Sequence, residues 1–448
     1  MSVAITARPV VVVGLGKSGA SACRLLAKRG FDVRANDHRE RAALGPLADE
    51  LESLGVTLAL GGHQDAVFAG VPLIVLSPGV PPLEAVARAE SAGARVVSEV
   101  EVAAGFVDAP IVAVTGTNGK STVVSLLGAM CEADGRSFAA CGNLGTPLSD
   151  IVGTPAASSE GIVVLELSSF QLERVESFRA NVALLLNVTE DHFERYPGIE
   201  EYAAAKGRIF AGQKAGDHAL IPSGDALCRR LFDAHGSGAS LATFGPGGDA
   251  FVQDGVIIDG EFSFAASELK IRGEHNAENA CAAAVAGRLA GLSSESIAAG
   301  LRAFPGLPHR MQFVRSLDGV DYFDDSKATN VGASVAAIRS LGETPIVLIA
   351  GGRDKDGDLS LLRDAVESAR AVVLLGEAAG RFEDALRGAV DLRRVDSLED
   401  AVQLSRSLAH SGDAVLLAPA CSSFDMFKNF AVRGDVFQEL VLGLKEAS

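Results

Sequence analysis

The sequence predicts an α/β chain built on several parallel sheets, and three observations carry that expectation. Short valine-rich apolar runs end in glycine turns that open into helical periodicity, repeatedly along the chain. At 448 residues the chain exceeds one ordinary hydrophobic core, which sets an expectation of about three domains. Alanine, valine, leucine and glycine dominate, aromatic residues make up 5% and tryptophan is absent, as suits helices packed on buried parallel strands. The formal net charge of −17 argues against a nucleic-acid binder, whose footprint should be a basic face, and reads as solubility. Cys23, Cys131, Cys141, Cys228, Cys281 and Cys421 form no CxxC pair and no zinc spacing, so buried free thiols in a reducing compartment are expected. No stretch approaches about 20 apolar residues, so no membrane span is expected. Val10–Val13 is too short for a secretion signal. The cytoplasm and a monomer are the default expectations.

The chain is organised around Ile111–Thr122. Ile111-Val-Ala-Val114 reads as a buried strand, Gly116-Thr117-Asn118-Gly119 as a turn, and Ser121–Met130 carries an apolar face at helical spacing. Strand, glycine turn and helix start make a phosphate cradle: glycines let the backbone curl close to the ligand, and the helix N-terminus offers unpaired N–H groups. Lys120 would reach the β- and γ-phosphates, and Ser121 or Thr122 would hold Mg²⁺ through a hydroxyl. The loop is shorter than the common phosphate-loop pattern, with Val114 where that pattern places its first glycine.

Upstream, Pro9–Val13 reads as a strand, followed by Gly14-Leu15-Gly16-Lys17-Ser18-Gly19 and a helix to Ala27. A second strand, Phe31–Asn36, ends at Asp37. This is a Rossmann-like dinucleotide fingerprint with an acidic residue at the second strand end. Taken alone it suggests NAD, but the same turn holds any pyrophosphate, a uridine diphosphate included. Leu73–Leu76 is a strand ending in Ser77-Pro78-Gly79, where such sheets line a ligand crevice. Pro81 and Pro82 are expected to start a helix near Leu83 to Ser91.

In the middle third, Cys141–Pro147 is a polar turn segment containing Asn143. Ile162–Glu166 is a strand with a carboxylate at its end, costly unless paired or metal-bound, and Ser168 follows. Val182–Leu186 leads through Asn187 to Asp191 and His192. Ile199–Phe210 reads as a helix packing through Tyr202, Ile209 and Phe210, with Lys206 an ordinary surface lysine by spacing. Gly236–Phe264 reads as a small β-meander. Gly273 opens a helix whose Asn276 and Asn279 share one face. Capping accounts for Asn276 but poorly for Asn279. Phe304–Arg310 reads as an interdomain linker. Beyond it, strands and helices alternate again in a third, Rossmann-like sheet, with polar groups at strand ends: Asp325, Lys327 and Thr329, then Lys355, then Ser423. Asp325 and Lys327 could be a solvated ion pair, although their place after a strand favours ligand contact.

Several of these segments together resemble the Mur ligases of peptidoglycan synthesis. They are Thr115–Thr122, Glu166–Ser169, Asn187–His192, His275–Asn279, His309-Arg310 and Asp325–Lys327. Finer matches at Asp325–Asn330, Gly351–Lys355, Pro419–Phe430 and Arg433-Gly434-Asp435 are similar to the branch that adds D-glutamate to UDP-N-acetylmuramoyl-L-alanine. The Asp-Asn-Pro-Arg signature of the diaminopimelate- or lysine-adding branch is absent. The resemblance implies a UDP-sugar domain over 1–106, a central phosphate-loop ATPase-like domain with the β-meander over 107–308, and an amino-acid domain over 309–448. It implies that Gly14, Lys17, Ser18, Asp37, His38 (where a threonine is more usual), Arg39, Ser77 and Gly79 hold the nucleotide sugar, with Asn143 and Ser168 flanking its peptide carboxylate. ATP would be held by Gly116, Thr117, Asn118, Gly119, Lys120, Ser121, Thr122, Asn279, Arg310 and Asp325. Lys206 would be carbamylated by CO₂ and share two Mg²⁺ ions with Ser121, Glu166 and His192. Lys327, Thr329, Lys355, Ser423 and Phe430 would place D-glutamate. The implied reaction is ATP-driven amide-bond formation through an acyl phosphate, with Lys120 neutralising phosphoryl charge and His192 the candidate to orient or deprotonate the attacking amine.

Overall fold

The computed structural model describes residues 9–143, 145–192, 195–236, 238–271, 273–354 and 358–446. Three sheets carry the chain. The first comprises β1 (Val10–Val13), β2 (Val33–Asp37), β3 (Thr57–Leu60), β4 (Leu73–Leu76) and β5 (Arg95–Ser98), all parallel, in the order β3-β2-β1-β4-β5. All four valines of β1 are fully buried, as expected for a central parallel strand covered on both faces. Strand order reverses between β1 and β4, so the turns after them, at Gly14 and Ser77, flank the crevice where such sheets bind ligands.

The second sheet has β6 (Ile111–Thr115), β7 (Phe138–Gly142), β8 (Ile162–Glu166), β9 (Val182–Leu185), β10 (His218–Pro222), β11 (Ser240–Phe244), β12 (Ala250–Gln253), β13 (Val256–Asp259) and β14 (Phe262–Ala265). Their order is β14-β13-β12-β11-β10-β9-β6-β8-β7. The expected meander is the outer edge of this same sheet. Strand β11 continues it in parallel to β10, and only β12 to β14 turn antiparallel. The third sheet, β15-β16-β20-β17-β18-β19, holds β15 (Gln312–Leu317), β16 (Val320–Asp324), β17 (Ile346–Gly351), β18 (Ala371–Leu375), β19 (Leu392–Arg394) and β20 (Ala414–Leu417). Only the edge pair β15–β16 is antiparallel.

These sheets fall into two compact units. One, ending in chain order at Val188 and resuming over Glu200–Glu268 and Asn279–Ala303, holds the first two sheets; the other holds Thr189–Ile199, Leu269–Glu278 and everything described from Phe304 on. Within the first unit the two sheets are joined by buried carboxylates on the helix Glu99–Ala104. Glu101 accepts the N–H groups of Glu176 at 3.0 Å, Ser177 at 2.8 Å and Phe178 at 2.9 Å, and also the Ser177 hydroxyl. Glu99 accepts the Ser149 N–H at 2.6 Å, while its second oxygen and the Ser149 hydroxyl have no partner. Burial pushes its carboxyl up to about 7.

The helix expected near Leu83 to Ser91 runs from Glu84 to Ser91, with Leu83 as its N-cap. One local expectation changes. Asn276 lies inside the helix Glu274–Leu289 rather than capping it. Within the Phe304–Arg310 stretch, read as an interdomain linker, His309 is 7% exposed, with Nδ1 2.7 Å from Oδ2 of the buried Asp324. All six cysteines are buried free thiols. No described helix is long and apolar enough to cross a membrane.

Glu99 makes stability depend on pH with a definite sign. Its folded value lies above the ordinary 4.5, so its contribution is intact below about pH 4.5 and is lost as pH rises through 7. Glu99→Gln keeps an acceptor for Ser149 and removes the titration. Denaturant midpoints measured from pH 5 to 8 should therefore move in favour of the glutamine variant by ~3 kcal/mol; a gap that does not change with pH would refute the buried proton.

Candidate active site

The phosphate-loop expectation meets a turn whose shape is fixed from four sides. Gly116 (φ +155°) and Gly119 (φ +85°) lie in glycine-favouring regions. A Cβ on Gly119 would stand 2.4 Å from Oδ1 of Asn279, and one on Gly116 3.0 Å from the Leu186 Cβ. Asn187, just after β9, holds the loop backbone: its carbonyl accepts the Thr117 N–H at 3.0 Å and its Oδ1 the Asn118 N–H at 2.8 Å. Lys120 folds back to donate to the carbonyls of Gly116 (2.7 Å) and Thr117 (2.8 Å). Gly119 caps the helix Lys120–Asp134 without any side-chain hydrogen bond, which leaves the helix's first N–H groups for an anion. Ser121 and Thr122 are buried in its first turn.

Helix Ile199–Gly207 supplies the fourth side. Tyr202 donates to the Thr117 hydroxyl at 3.3 Å. Lys206 is 1% exposed, donates to the Gly116 carbonyl at 2.8 Å and lies 4.5 Å from the centre of the Tyr202 ring. The surface-lysine reading of Lys206 is thus overturned: Glu200, Glu201 and Ala204 are exposed, while Tyr202, Ala203, Ala205 and Lys206 are buried, and the run of small alanines gave little sign of which face this would be. Glu166 ends β8 beside the loop strand, 2% exposed. Its Oε1 accepts from Asn143 Nδ2 at 2.7 Å, and its Oε2 is buried with no hydrogen-bond partner. An orphaned carboxylate oxygen at a strand end is costly without a cation, so the residues here fit a divalent metal. Among the described residues no three His, Cys, Asp or Glu side chains converge, so the expected ligand set relies on a serine hydroxyl and a carbamate besides Glu166 and His192. Ser168 is occupied as the cap of helix Ser169–Leu172, in a reciprocal pair with Gln171.

At the first sheet, Asp37 braces the Gly14 turn. Its two oxygens accept the Leu15 N–H at 2.6 Å and three donors of Arg39 at 2.8–2.9 Å. Burial pushes this carboxyl up, but the Arg39 side chain and the two backbone N–H groups outweigh it and hold Asp37 well below the usual carboxylate range. Ser77 donates to the Gly14 carbonyl at 2.7 Å. Lys17 is exposed and Ser18 half-buried at the start of helix Lys17–Lys28, while His38 and Gly79 are exposed. A cavity of about 450 Å³ lies between Gly16-Lys17 and the Gly145–Pro147 segment.

The second unit holds the other expected residues. His192 takes a left-handed backbone (φ +58°), the kind of strain that clusters at functional sites. Asp191 accepts its N–H at 2.9 Å and is itself held by Asn330 Nδ2 at 3.2 Å. Asp325 is buried, and burial pushes its carboxyl up to about 7, with Arg310 pulling down and Asp324 pushing up. The charged groups acting on it are Arg310 and Asp324; Lys327, with which a solvated ion pair was the alternative to ligand contact, is not among them. Arg310 lines a groove of about 920 Å³ with Lys270 and Asn276. Lys327 Nζ stands 4.0 Å from the centre of the Phe430 ring. The Ala420 N–H donates to the Ala328 carbonyl at 2.9 Å, tying the segment of Thr329 to that of the buried Ser423. Lys355 lies outside the described residues. Sequence reasoning did not single out Asn187 or Asp191 as bracing groups, nor Tyr202 beyond packing; a polar residue directly after a buried strand is the one signal that could have found the first two.

A glycine turn that opens a helix on a parallel sheet, beside a buried carboxylate with a bare oxygen, is the arrangement of a nucleotide-phosphate-binding α/β protein. Three family patterns match: Mur ligase MurD-like, N-terminal domain over 8–98; Mur ligase middle domain over 114–287; and Mur ligase, glutamate ligase domain over 309–421. The chain belongs to the Mur ligase family. It is 43% identical to the UDP-N-acetylmuramoylalanine–D-glutamate ligase of Desulfosudis oleivorans, over 98% of this chain and 97% of that protein. In fold it is similar to a pseudomurein peptide ligase type C from Methanothermus fervidus (TM-score 0.63, 18% identity, 97% and 99% of the two chains). It is also similar to the MurF ligase of Thermotoga maritima solved with ADP (TM-score 0.59, 19% identity, 82% and 93%).

The Gly119–Asn279 contact gives a direct test. Gly119→Ala places a methyl group on Asn279 Oδ1 at a left-handed residue, so titration with ATP should show affinity reduced at least roughly tenfold. Unchanged ATP affinity would mean that the nucleotide does not use this turn.

Proposed function

We propose that the chain joins D-glutamate to UDP-N-acetylmuramoyl-L-alanine at the expense of ATP, acting in the cytoplasm on a precursor of peptidoglycan. What carries the reading is its identity across nearly the whole chain with a D-glutamate ligase, set on a phosphate loop beside a buried, half-satisfied carboxylate. A carboxylate loses oxygen poorly to an amine, so its oxygen first attacks the γ-phosphorus of ATP and ADP leaves. The amine of D-glutamate then attacks the acyl carbon, phosphate departs with its electron pair, and the amine sheds a proton. Lys120 is suited to follow the charge of the moving phosphoryl group. The uncapped N–H groups of helix Lys120–Asp134 favour the phosphates.

Ser121, Glu166 and a carbamate on Lys206 would hold Mg²⁺ from the first unit, and the ion would supply charge neutralisation on the phosphates. A buried ammonium is costly even against a carbonyl; carbamylation turns it into an anionic oxygen ligand. His192 is assigned to orient the amine or take its proton. The Gly14 turn and the cavity at Lys17 suit the uridine diphosphate. Lys327 and Phe430 suit the amino acid: a cation for its carboxylate and an apolar face beneath it.

Phosphate release with UDP-N-acetylmuramoyl-L-alanine should require D-glutamate and fail with L-glutamate or L-alanine; equal rates with another amino acid would assign the chain to a sister ligase. Lys120→Ala should abolish the release, whereas NADH binding without any ATPase activity would favour an oxidoreductase. Lys206→Ala should lose activity that short carboxylic acids partly restore, and the native protein should carry the added mass of one CO₂. Absence of both rescue and mass would remove the carbamate.

A further inference from the structure

Helix Phe430–Gly443 carries Arg433, Gly434 and Asp435 near its start. Arg433 is 3% exposed. Its Nε donates to the Ser326 hydroxyl at 3.0 Å, and its Nη2 donates to the carbonyls of Ser326 at 2.9 Å and Cys421 at 3.2 Å. One guanidinium therefore joins the segment that leads into Lys327 to the segment that leads into Ser423. Gly434 lets the helix lie this close: a Cβ there would stand 2.2 Å from Nδ1 of His309 and 2.8 Å from Oδ2 of Asp324.

A buried guanidinium is expensive without an anion, and none of these three acceptors is charged. Burial accordingly pulls Arg433 down to about 10, with Asp425 among the groups that pull it back up. Asp425 accepts the Glu377 N–H through Oδ2 at 3.1 Å, while its Oδ1 is buried with no hydrogen-bond partner. On the arginine, Nη1 meets no acceptor among the described residues and faces Gly352, where a Cβ would lie 3.3 Å away. Asp425 and Arg433 line one cavity of about 10 Å³, with Gly351 and Gly352 on its wall. That volume is close to what one water needs, and a water needs at least two polar partners. Two residues of opposite charge, one with an unpaired acceptor and one with a donor that makes no hydrogen bond, thus line a space of about one solvent molecule.

We propose that a single ordered water occupies this cavity, accepting from Arg433 Nη1 and donating to Asp425 Oδ1, and that this relay makes Arg433 and Asp425 positioning residues for the incoming amino acid. The second half rests on the reading of Lys327, Ser423 and Phe430 as D-glutamate residues. The relay completes the charge balance of Arg433, and Arg433 fixes the separation of the Lys327 and Ser423 segments. Neither residue needs to touch substrate.

A crystal structure of the full chain at a resolution that shows waters should find one within hydrogen-bond distance of both atoms; a dry cavity overturns the relay. In the phosphate-release assay, Asp425→Asn should raise the KM for D-glutamate roughly tenfold, the effect of one lost charge-assisted hydrogen bond. The KM for ATP and that for the nucleotide sugar should stay within about twofold. Arg433→Lys, which loses the planar fork, should show the same split, and a general loss of folding would instead move all three constants together. If the wild-type chain responds to D-glutamate but Asp425→Asn matches it in every constant, the positioning role falls and the functional reading stands. If the wild-type chain does not respond to D-glutamate at all, the functional reading falls and takes the amino-acid role with it.

Discussion

The constraint on which the rest depends is the tight turn between β6 and the helix Lys120–Asp134. Its backbone must curl so closely that a methyl group at Gly119 would collide with Asn279. Glycine permits that path but does not enforce it. Enforcement comes from outside the turn: Asn187 grips two of its N–H groups, and Lys206 and Lys120 both hold the Gly116 carbonyl. The turn is therefore pre-shaped before any anion arrives, which lowers the ordering cost of binding. Because β9 lies beside β6 in parallel, the group that grips the turn comes from the neighbouring strand's C-terminal end, and the sheet itself delivers it.

Buried carboxylates divide into two kinds across the chain. Asp37 and Glu101 each collect several hydrogen bonds and act as braces, one for the Gly14 turn and one between the first two sheets. Glu99, Glu166 and Asp425 each keep an oxygen with no partner. For such a group the physics leaves few outcomes: take up a proton, accept a cation, or find a water. Glu99 is buried with no cation among the groups that act on it, and burial pushes it toward the protonated form. Glu166 stands beside a phosphate loop and suits a cation. Asp425 lines a one-water cavity together with Arg433, whose hydrogen bonds all come from Nε and Nη2. The same side-chain chemistry serves three purposes because its surroundings differ.

Much of the architecture was legible before any coordinates, and the pattern of success follows the physics. Runs such as Val10–Val13, Ile111–Val114 and Ala414–Leu417 are apolar over every residue, which a parallel strand covered on both faces requires. The glycine turns at Gly14 and Gly116 were legible because positive φ values demand glycine. Reading failed where burial is decided by distant partners. Lys206 looked like surface because the three alanines before it give little sign of which face is buried; it is buried because Gly116 and Tyr202 enclose it. In the same way, the linker segment Phe304–Arg310 gave no sign that its His309 is buried, which follows from its contact with the distant Asp324.

By itself, the sequence determined which segments become strands and helices and where the backbone must turn, since periodicity and glycine chemistry are local properties. It also placed the chemistry-bearing groups at strand ends, because a polar residue cannot sit mid-strand in a covered sheet at low cost. What only the tertiary structure decided is the state of those groups: that Glu166 keeps a bare oxygen, that Asp37 is spent as a brace, and that Arg433 and Asp425 border one small cavity. Partners of that kind lie up to about a hundred residues apart in sequence, and only the packing of strands brings them within hydrogen-bond reach.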